Sequence, residues 1–176
     1  RSDSSTTYGG RTEFISGGSN RNVTLTDNAD ATEMHGLSFS MSPGHVRFGA
    51  TASGDDVDDV KFYRCSFKQL TLGDGGGEPS LANNTLIQQC IISDQLDVNR
   101  SNGVLVRNSF VGYIYRADAG SNTTVQNCIL TDWVPASQDG VLYDSNIFLK
   151  NADNPLNVSE QAVYTHNLFV GNGTLF

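Results

Sequence analysis

A short pattern recurs seven times along this chain and constrains its fold more than any other feature. Each copy has an apolar anchor residue, two mostly polar residues, a mostly small residue at anchor +3 and an apolar residue at anchor +5. The anchors are Met34, Phe62, Ile87, Val106, Val125, Tyr143 and Tyr164. They are separated by 28, 25, 19, 19, 18 and 21 residues, and this self-similarity predicts repeats that stack on one another.

The pattern within each copy has the period of β-strands. Residues at anchor −2 and at the anchor face one side of a strand, and those at +3 and +5 face inward from a second strand after a polar break. Candidates for a third strand lie at residues 46–48, 70–72, 96–98, 113–115 and 133–134. The connecting segments are rich in Gly, Asp, Asn and Ser, which favour turns. The sequence therefore predicts an all-β protein.

Two segments show the pattern most clearly: Val-Leu-Val-Arg-Asn-Ser-Phe-Val at 104–111 and Val-Gln-Asn-Cys-Ile-Leu at 125–130. With the other repeats they resemble the right-handed parallel β-helix of the pectate-lyase-like superfamily, and in particular bacterial secreted β-helix proteins. The resemblance covers residues 23–172 and implies a right-handed, single-stranded parallel β-helix, a solenoid with a coil for each of the seven anchors. We assign residues 23–176 to this domain and residues 1–22 to a partial first coil or a linker. A β-sandwich is the competing fold, but its hairpin signals are missing from regular places.

The two ends of the predicted stack have no polar caps in the sequence. Residues 1–22 offer only Phe14 and Ile15 to a core, and the chain stops at Leu175 and Phe176 within the pattern. Because repeat proteins cover their terminal apolar cross-sections with polar residues, we expect the chain to be a segment of a longer protein.

The row at anchor +3 contains all three cysteines, Cys65, Cys90 and Cys128. Equivalent residues of stacked repeats lie about 4.8 Å apart, so Cys65 and Cys90 are close enough for a disulfide. The favoured alternative is that all three are free thiols in the core. Asn146 and Asn167 occupy the same row, where their amides are expected to hydrogen-bond between repeats in a structural role.

The row at anchor +4 is predicted to face outward, yet its last five members are apolar. They are Ile91, Phe110, Ile129, Ile147 and Leu168. We interpret them as an exposed stripe that a neighbouring domain, a second protomer or a segment outside this chain covers. The alternative is a second strand in the opposite phase, which would place these side chains in the core.

The row at anchor +1 is the predicted outward face of the first strand. The resemblance implies a substrate groove along this face, with Tyr63, Gln88, Arg107 and Gln126 as binding residues. Lys61, Arg107 and Asp144 are the candidate catalytic residues, with the basic residues as proton acceptors for a lyase and Asp144 as an acid or base. The alternative is an ordinary solvated strand face.

Acidic loops before the second and third anchors are candidates for a calcium site. Their carboxylates belong to Asp55, Asp56, Asp58, Asp59, Asp74 and Glu78. Such a cluster resists full ionisation unless a cation neutralises it, and Ca²⁺ accepts six to eight oxygen ligands in flexible geometry. The alternative is that these charges are only solvated.

Charge and composition narrow the functional classes. The chain has 11 basic and 19 acidic side chains, a net charge of −8, which argues against a nucleic-acid partner. No apolar run has the length of a membrane span, and the Gly-, Asn-, Ser- and Thr-rich composition suits a secreted or cell-surface protein. We predict a non-catalytic, glycan-binding scaffold, with a polysaccharide or a neighbouring protein as its partner. A polysaccharide lyase or glycoside hydrolase is the alternative.

Overall fold

The computed structural model describes residues 12–15, 23–25, 30–40, 45–48, 57–72, 82–98, 101–115, 122–131, 140–149 and 162–171. These ranges contain eighteen β-strands and no helix, which confirms the all-β prediction for this part of the chain. The strands are β1 (Thr12–Ile15), β2 (Val23–Leu25), β3 (Glu33–His35), β4 (Leu37–Ser40), β5 (His45–Phe48), β6 (Lys61–Tyr63), β7 (Ser66–Phe67), β8 (Gln69–Leu72), β9 (Leu86–Gln88), β10 (Ile91–Asp97), β11 (Leu105–Arg107), β12 (Phe110–Tyr115), β13 (Thr123–Gln126), β14 (Ile129–Leu130), β15 (Val141–Asp144), β16 (Ile147–Leu149), β17 (Val163–Thr165) and β18 (Leu168–Val170). Within the same ranges no helical segment has the length and hydropathy that a membrane crossing requires.

The described strands form two parallel sheets, one of seven strands and one of eleven. The seven-stranded sheet has the order β3-β6-β9-β11-β13-β15-β17, so each strand pairs with its equivalent in the next repeat. The register places all seven anchors in one row, from Met34 opposite Phe62 to Tyr143 opposite Tyr164. This confirms the predicted register and is compatible with a β-helix-like solenoid. The parallel pairing excludes an antiparallel sandwich for these strands.

The eleven-stranded sheet contains the second and third strands of the repeats. Its main path is β1-β4-β7-β10-β12-β14-β16-β18, and β2, β5 and β8 lie beside it and join it through β10. The third-strand candidates at 46–48, 70–72, 96–98 and 113–115 therefore pair in the described structure, and the one at 133–134 lies outside it. The prediction of separate second and third strands is wrong in two repeats, because β10 and β12 each run through both.

A left-handed residue turns the chain on each side of the strands in the seven-stranded sheet. Every residue at anchor +2 has a φ between 51° and 65°, although only one of the seven, Gly36, is glycine. Six residues at anchor −3 have positive φ values as well. We call these left-handed residues corners. At anchor +2, the backbone N–H of six of the seven corners bonds to the next repeat, as from Asn108 to the Gln126 oxygen at 3.1 Å. These hydrogen bonds offset the strain of a non-glycine residue in this conformation. The corner resets the strand phase, so the anchor and residue +3 both face the core.

The core lies between the two sheets and is made of rows. The anchors Phe62, Ile87, Val106, Val125 and Tyr143 are fully buried, and residues at +5 pack against them from the other sheet. Aromatic rings continue the stacking in the last repeats: Tyr143 lies 5.1 Å from Tyr164, and Phe148 lies 4.8 Å from Phe169, centroid to centroid. Like residues at one-strand spacing thus form a continuous apolar column.

The row at anchor +3 is a buried polar ladder. The Asn146 side chain accepts a hydrogen bond from the Cys128 N–H and donates one to the Val125 oxygen, both at 2.8 Å. Asn167 repeats this arrangement one step along: its Oδ1 accepts from the Asn146 N–H at 2.8 Å. Each side chain therefore satisfies two buried backbone groups of the preceding repeat, which confirms the structural role predicted for these asparagines.

The cysteines in this row are free and buried. Their sulfurs occupy the place of the asparagine amides, since the Cys65 N–H bonds to Cys90 Sγ at 3.4 Å and Cys128 Sγ lies 3.7 Å from the Val106 oxygen. Burial raises the pKa of Cys128 to about 11. The hydrogen bond with Cys65, and then burial, raise the pKa of Cys90. Because the thiolate is the reactive form, these two thiols are structural.

We expect Gly112→Ala to lower the free energy of unfolding by about 2 kcal/mol in urea denaturation. Two residues of β10, Ser93 and Asp94, lie opposite Gly112 of β12 in a β-bulge. A Cβ at position 112 would overlap the Asp94 carbonyl oxygen, so the backbone must shift. Gly36→Ala is the control: its φ is +65° but its surroundings are open, so we expect a loss of about 1 kcal/mol. Equal losses in both variants would contradict the close-approach argument.

Candidate functional site

The predicted binding residues form one row on the outer face of the seven-stranded sheet. Tyr63 stacks on His35 with ring centroids 4.7 Å apart. Arg107 donates to Gln88 Oε1 from Nη2 at 2.8 Å and from Nε at 3.1 Å. Gln126 Nε2 donates to Asp144 Oδ2 at 3.1 Å. The structure therefore brings these residues into one polar row, and within it each contacts a member of a neighbouring repeat.

The candidate catalytic residues are not brought together. Arg107 and Asp144 are two strand steps apart, which corresponds to about 10 Å. Lys61 and Arg107 are also two steps apart but are offset by two residues along the strand, so they lie farther apart still. Lys61 Nζ lies 2.8 Å from Glu33 Oε1. The hydrogen bond to Glu33 raises the pKa of Lys61, and the same bond lowers the pKa of Glu33. A lysine that is held protonated in this way is a poor general base.

Asp144 carries the one carboxylate of this row, and both of its oxygens are hydrogen-bonded. Oδ1 lies 3.0 Å from His166 Nδ1 and accepts from Thr165 Oγ1 at 2.8 Å. Hydrogen bonds from His166, Thr165 and Gln126 lower the pKa of Asp144 to about 2. Asp144 is therefore ionised at neutral pH and holds no proton to donate as a general acid.

The lowered pKa of Asp144 predicts a specific acid dependence of stability. A carboxyl whose pKa is lower in the folded protein stabilises the fold above its unfolded pKa, and this contribution is lost as the pH falls from about 4 to about 2. We expect Asp144→Asn to be less stable than the native protein at neutral pH and the difference to vanish across this window. Unfolding in urea at a series of pH values measures it. A constant difference down to the acid end would contradict the assignment.

The acidic loops are only partly described. Asp58 Oδ1 accepts the Asn83 N–H at 3.2 Å, and the Asp58 N–H in turn bonds to Asp30 Oδ1 at 2.8 Å. Asp59 is an exposed corner residue with a φ of 58°. Asp55, Asp56, Asp74 and Glu78 lie outside the described residues. In the described ranges no three His, Cys, Asp or Glu side chains are grouped to hold a metal ion. Asp58 thus serves as a cap between repeats, and the calcium site stays a prediction.

The apolar stripe faces outward on the eleven-stranded sheet. Ile91, Phe110, Ile129, Ile147 and Leu168 follow one another in register. Their exposed fractions range from 36% to 56%. The outward prediction is confirmed, and the alternative that these side chains belong to the core is wrong. Leu149 and Val170 lie beside the stripe at anchor +6 and are also exposed.

A shallow groove, here called the corner groove, runs along the stack between the corner residues and this stripe. One wall carries the corner side chains Arg64, Gln89, Asn108 and Asn127. The other wall carries Ile91, Phe110 and Ile129, and Cys90 and Ser109 lie between the two walls. Its volume is about 500 Å³. Sequence reasoning missed this groove; the signal for it was the polar residue at anchor +2 followed two positions later by an apolar one.

Comparison of the chain with protein-family models, curated proteins and solved structures finds no match. Function is therefore inferred from the geometry of these surfaces.

Proposed function

We propose that the chain is a right-handed parallel β-helix of the pectate-lyase-like type that acts as a non-catalytic, secreted or cell-surface scaffold and binds a glycan along its length. The observation that carries this proposal is the uniform register of the seven repeats. It gives each outward position the same spacing, about 4.8 Å per step. Rows of hydrogen-bonding and apolar side chains at a constant spacing suit a ligand that is itself a polymer of repeated units.

The pairing of the candidate catalytic groups supports a scaffold rather than an enzyme. Lys61, Arg107 and Asp144 lie in separate repeats, and each is bonded to a neighbouring side chain. General acid–base catalysis needs groups that converge on one reacting bond. Glycoside hydrolysis by two carboxylates likewise needs both within one short distance range.

A polysaccharide panel tests this proposal directly. The protein is incubated with neutral and acidic polysaccharides, with and without Ca²⁺. Binding is followed by affinity electrophoresis, and cleavage by reducing ends and by the ultraviolet absorbance of unsaturated products. We expect retardation by at least one polysaccharide and no product. Product formation that is lost in Lys61→Ala or Asp144→Asn would favour the enzyme instead, and the absence of any binding would reject the glycan-binding function.

A further inference from the structure

We infer that the corner groove, rather than the polar row of the seven-stranded sheet, is the glycan site and that its ligand is a neutral, linear glycan. This inference rests on the proposed glycan-binding function and assigns it a place and a ligand class.

The corner wall offers hydrogen-bonding groups that the protein does not use. The Asn108 and Asn127 side chains are exposed and have no hydrogen-bond partner within the described residues. Gln89 uses its Oε1 to accept from Arg64 Nε at 3.3 Å. Side-chain amides both donate and accept, which matches the hydroxyl groups of a sugar. The polar row differs, because most of its amide, guanidinium and carboxylate groups are already hydrogen-bonded to neighbouring repeats.

The opposite wall offers an apolar surface at the same spacing. Ile91, Phe110 and Ile129 are 46%, 36% and 38% exposed and occupy three successive strands. A sugar ring has an apolar C–H face and polar edges, so a glycan that runs along the stack can contact both walls at once. Ligand sites commonly combine a mainly apolar lining with a few polar groups that fix orientation.

The backbone of the groove excludes recognition by strand addition. The Phe110 N–H bonds to the Cys90 oxygen at 3.0 Å, and the Asn108 N–H bonds to the Gln126 oxygen. A peptide that binds as an added strand needs unpaired backbone groups at a sheet edge, and the groove crosses the strands between their edges.

The charge of the whole chain favours a neutral ligand. Arg64 is the one charged residue in its lining, and the chain has a net charge of −8. A polyanion would be attracted only at Arg64 and would be repelled elsewhere by the net negative charge of the chain.

Calorimetric titration of the whole chain with cellohexaose, mannohexaose, xylohexaose and polygalacturonate tests the inference. The variants are Phe110→Thr and the double variant Asn108→Gly with Asn127→Gly; glycine keeps the left-handed corners unstrained. We expect each to weaken binding of a neutral hexasaccharide about tenfold, as the loss of two hydrogen bonds or of one apolar contact surface predicts. Thr124→Ala, on the outer face of β13 in the same repeat as Asn127, is the control and should bind like the native protein. Circular dichroism of each variant verifies the fold.

The outcomes separate the site from the function. Native affinity in the groove variants, with weakened binding in Tyr63→Ser, would overturn the groove and leave the glycan-binding function intact. Preference for polygalacturonate would overturn the neutral ligand class. If the native protein binds none of the four probes and no polysaccharide of the wider panel, the proposed function is rejected together with the site.

Discussion

Asn146→Leu is expected to lower the free energy of unfolding by about 4 kcal/mol. Leucine fills a similar volume but cannot accept from the Cys128 N–H or donate to the Val125 oxygen. Both groups belong to the preceding repeat, and a buried group left without a partner costs about 1–3 kcal/mol. Urea denaturation followed by circular dichroism measures the loss.

Asn127→Gly is the matched control for this variant. It removes the same amide from an exposed corner, at a φ of 52° that glycine adopts freely. We expect a change within about 0.5 kcal/mol. A similarly small effect of Asn146→Leu would show that the buried ladder contributes little to stability.

Phe148→Ala is the second change with a large expected effect, a loss of about 4 kcal/mol. Phe148 is fully buried, stacks on Phe169 at 4.8 Å and meets the edge of Tyr143 at 5.5 Å. Alanine would leave a cavity in the aromatic column that rigid neighbouring strands cannot close. Thermal and urea unfolding both report the change.

Phe110→Ala removes the same side chain from the outward row of the same sheet. Phe110 is 36% exposed, so its truncation opens no internal cavity and should cost about 1 kcal/mol. If the two phenylalanine variants lost equal stability, the division of the sheet into a core face and an outer face would be wrong.

The inward rows could be predicted from the sequence because stacking leaves them little freedom. A shift of one residue in any repeat would move its anchor to the outer face, so the pattern around Phe62 and Ile87 determines the pairing that the structure has. The continuous strand β10 could not be predicted in the same way, because its bulge depends on the pairing with Gly112.

The outer surfaces were less predictable because their contacts join different repeats. The residue types of Arg64 and Gln89 do not indicate a left-handed backbone. That conformation is stabilised by the hydrogen bond that each of their N–H groups makes to the next repeat. The polar row was predicted as a face, but the bond between Arg107 and Gln88 that occupies both side chains depends on rotamers. The corner groove follows from the left-handed corners and the outward apolar stripe beside them, and it appears only in three dimensions.

The constant length of the segment from anchor −3 to anchor +5 has a consequence for how such a chain changes in evolution. The steps between anchors vary from 18 to 28 residues, yet a left-handed corner lies at +2 from all seven anchors and at −3 from the first six. The differences in repeat length therefore lie in the connections that follow, as between Leu72 and Ala82. A longer loop at such a connection leaves the corners and the strand register of the neighbouring repeats unchanged, so we expect one edge of the stack to tolerate insertions that the opposite edge does not.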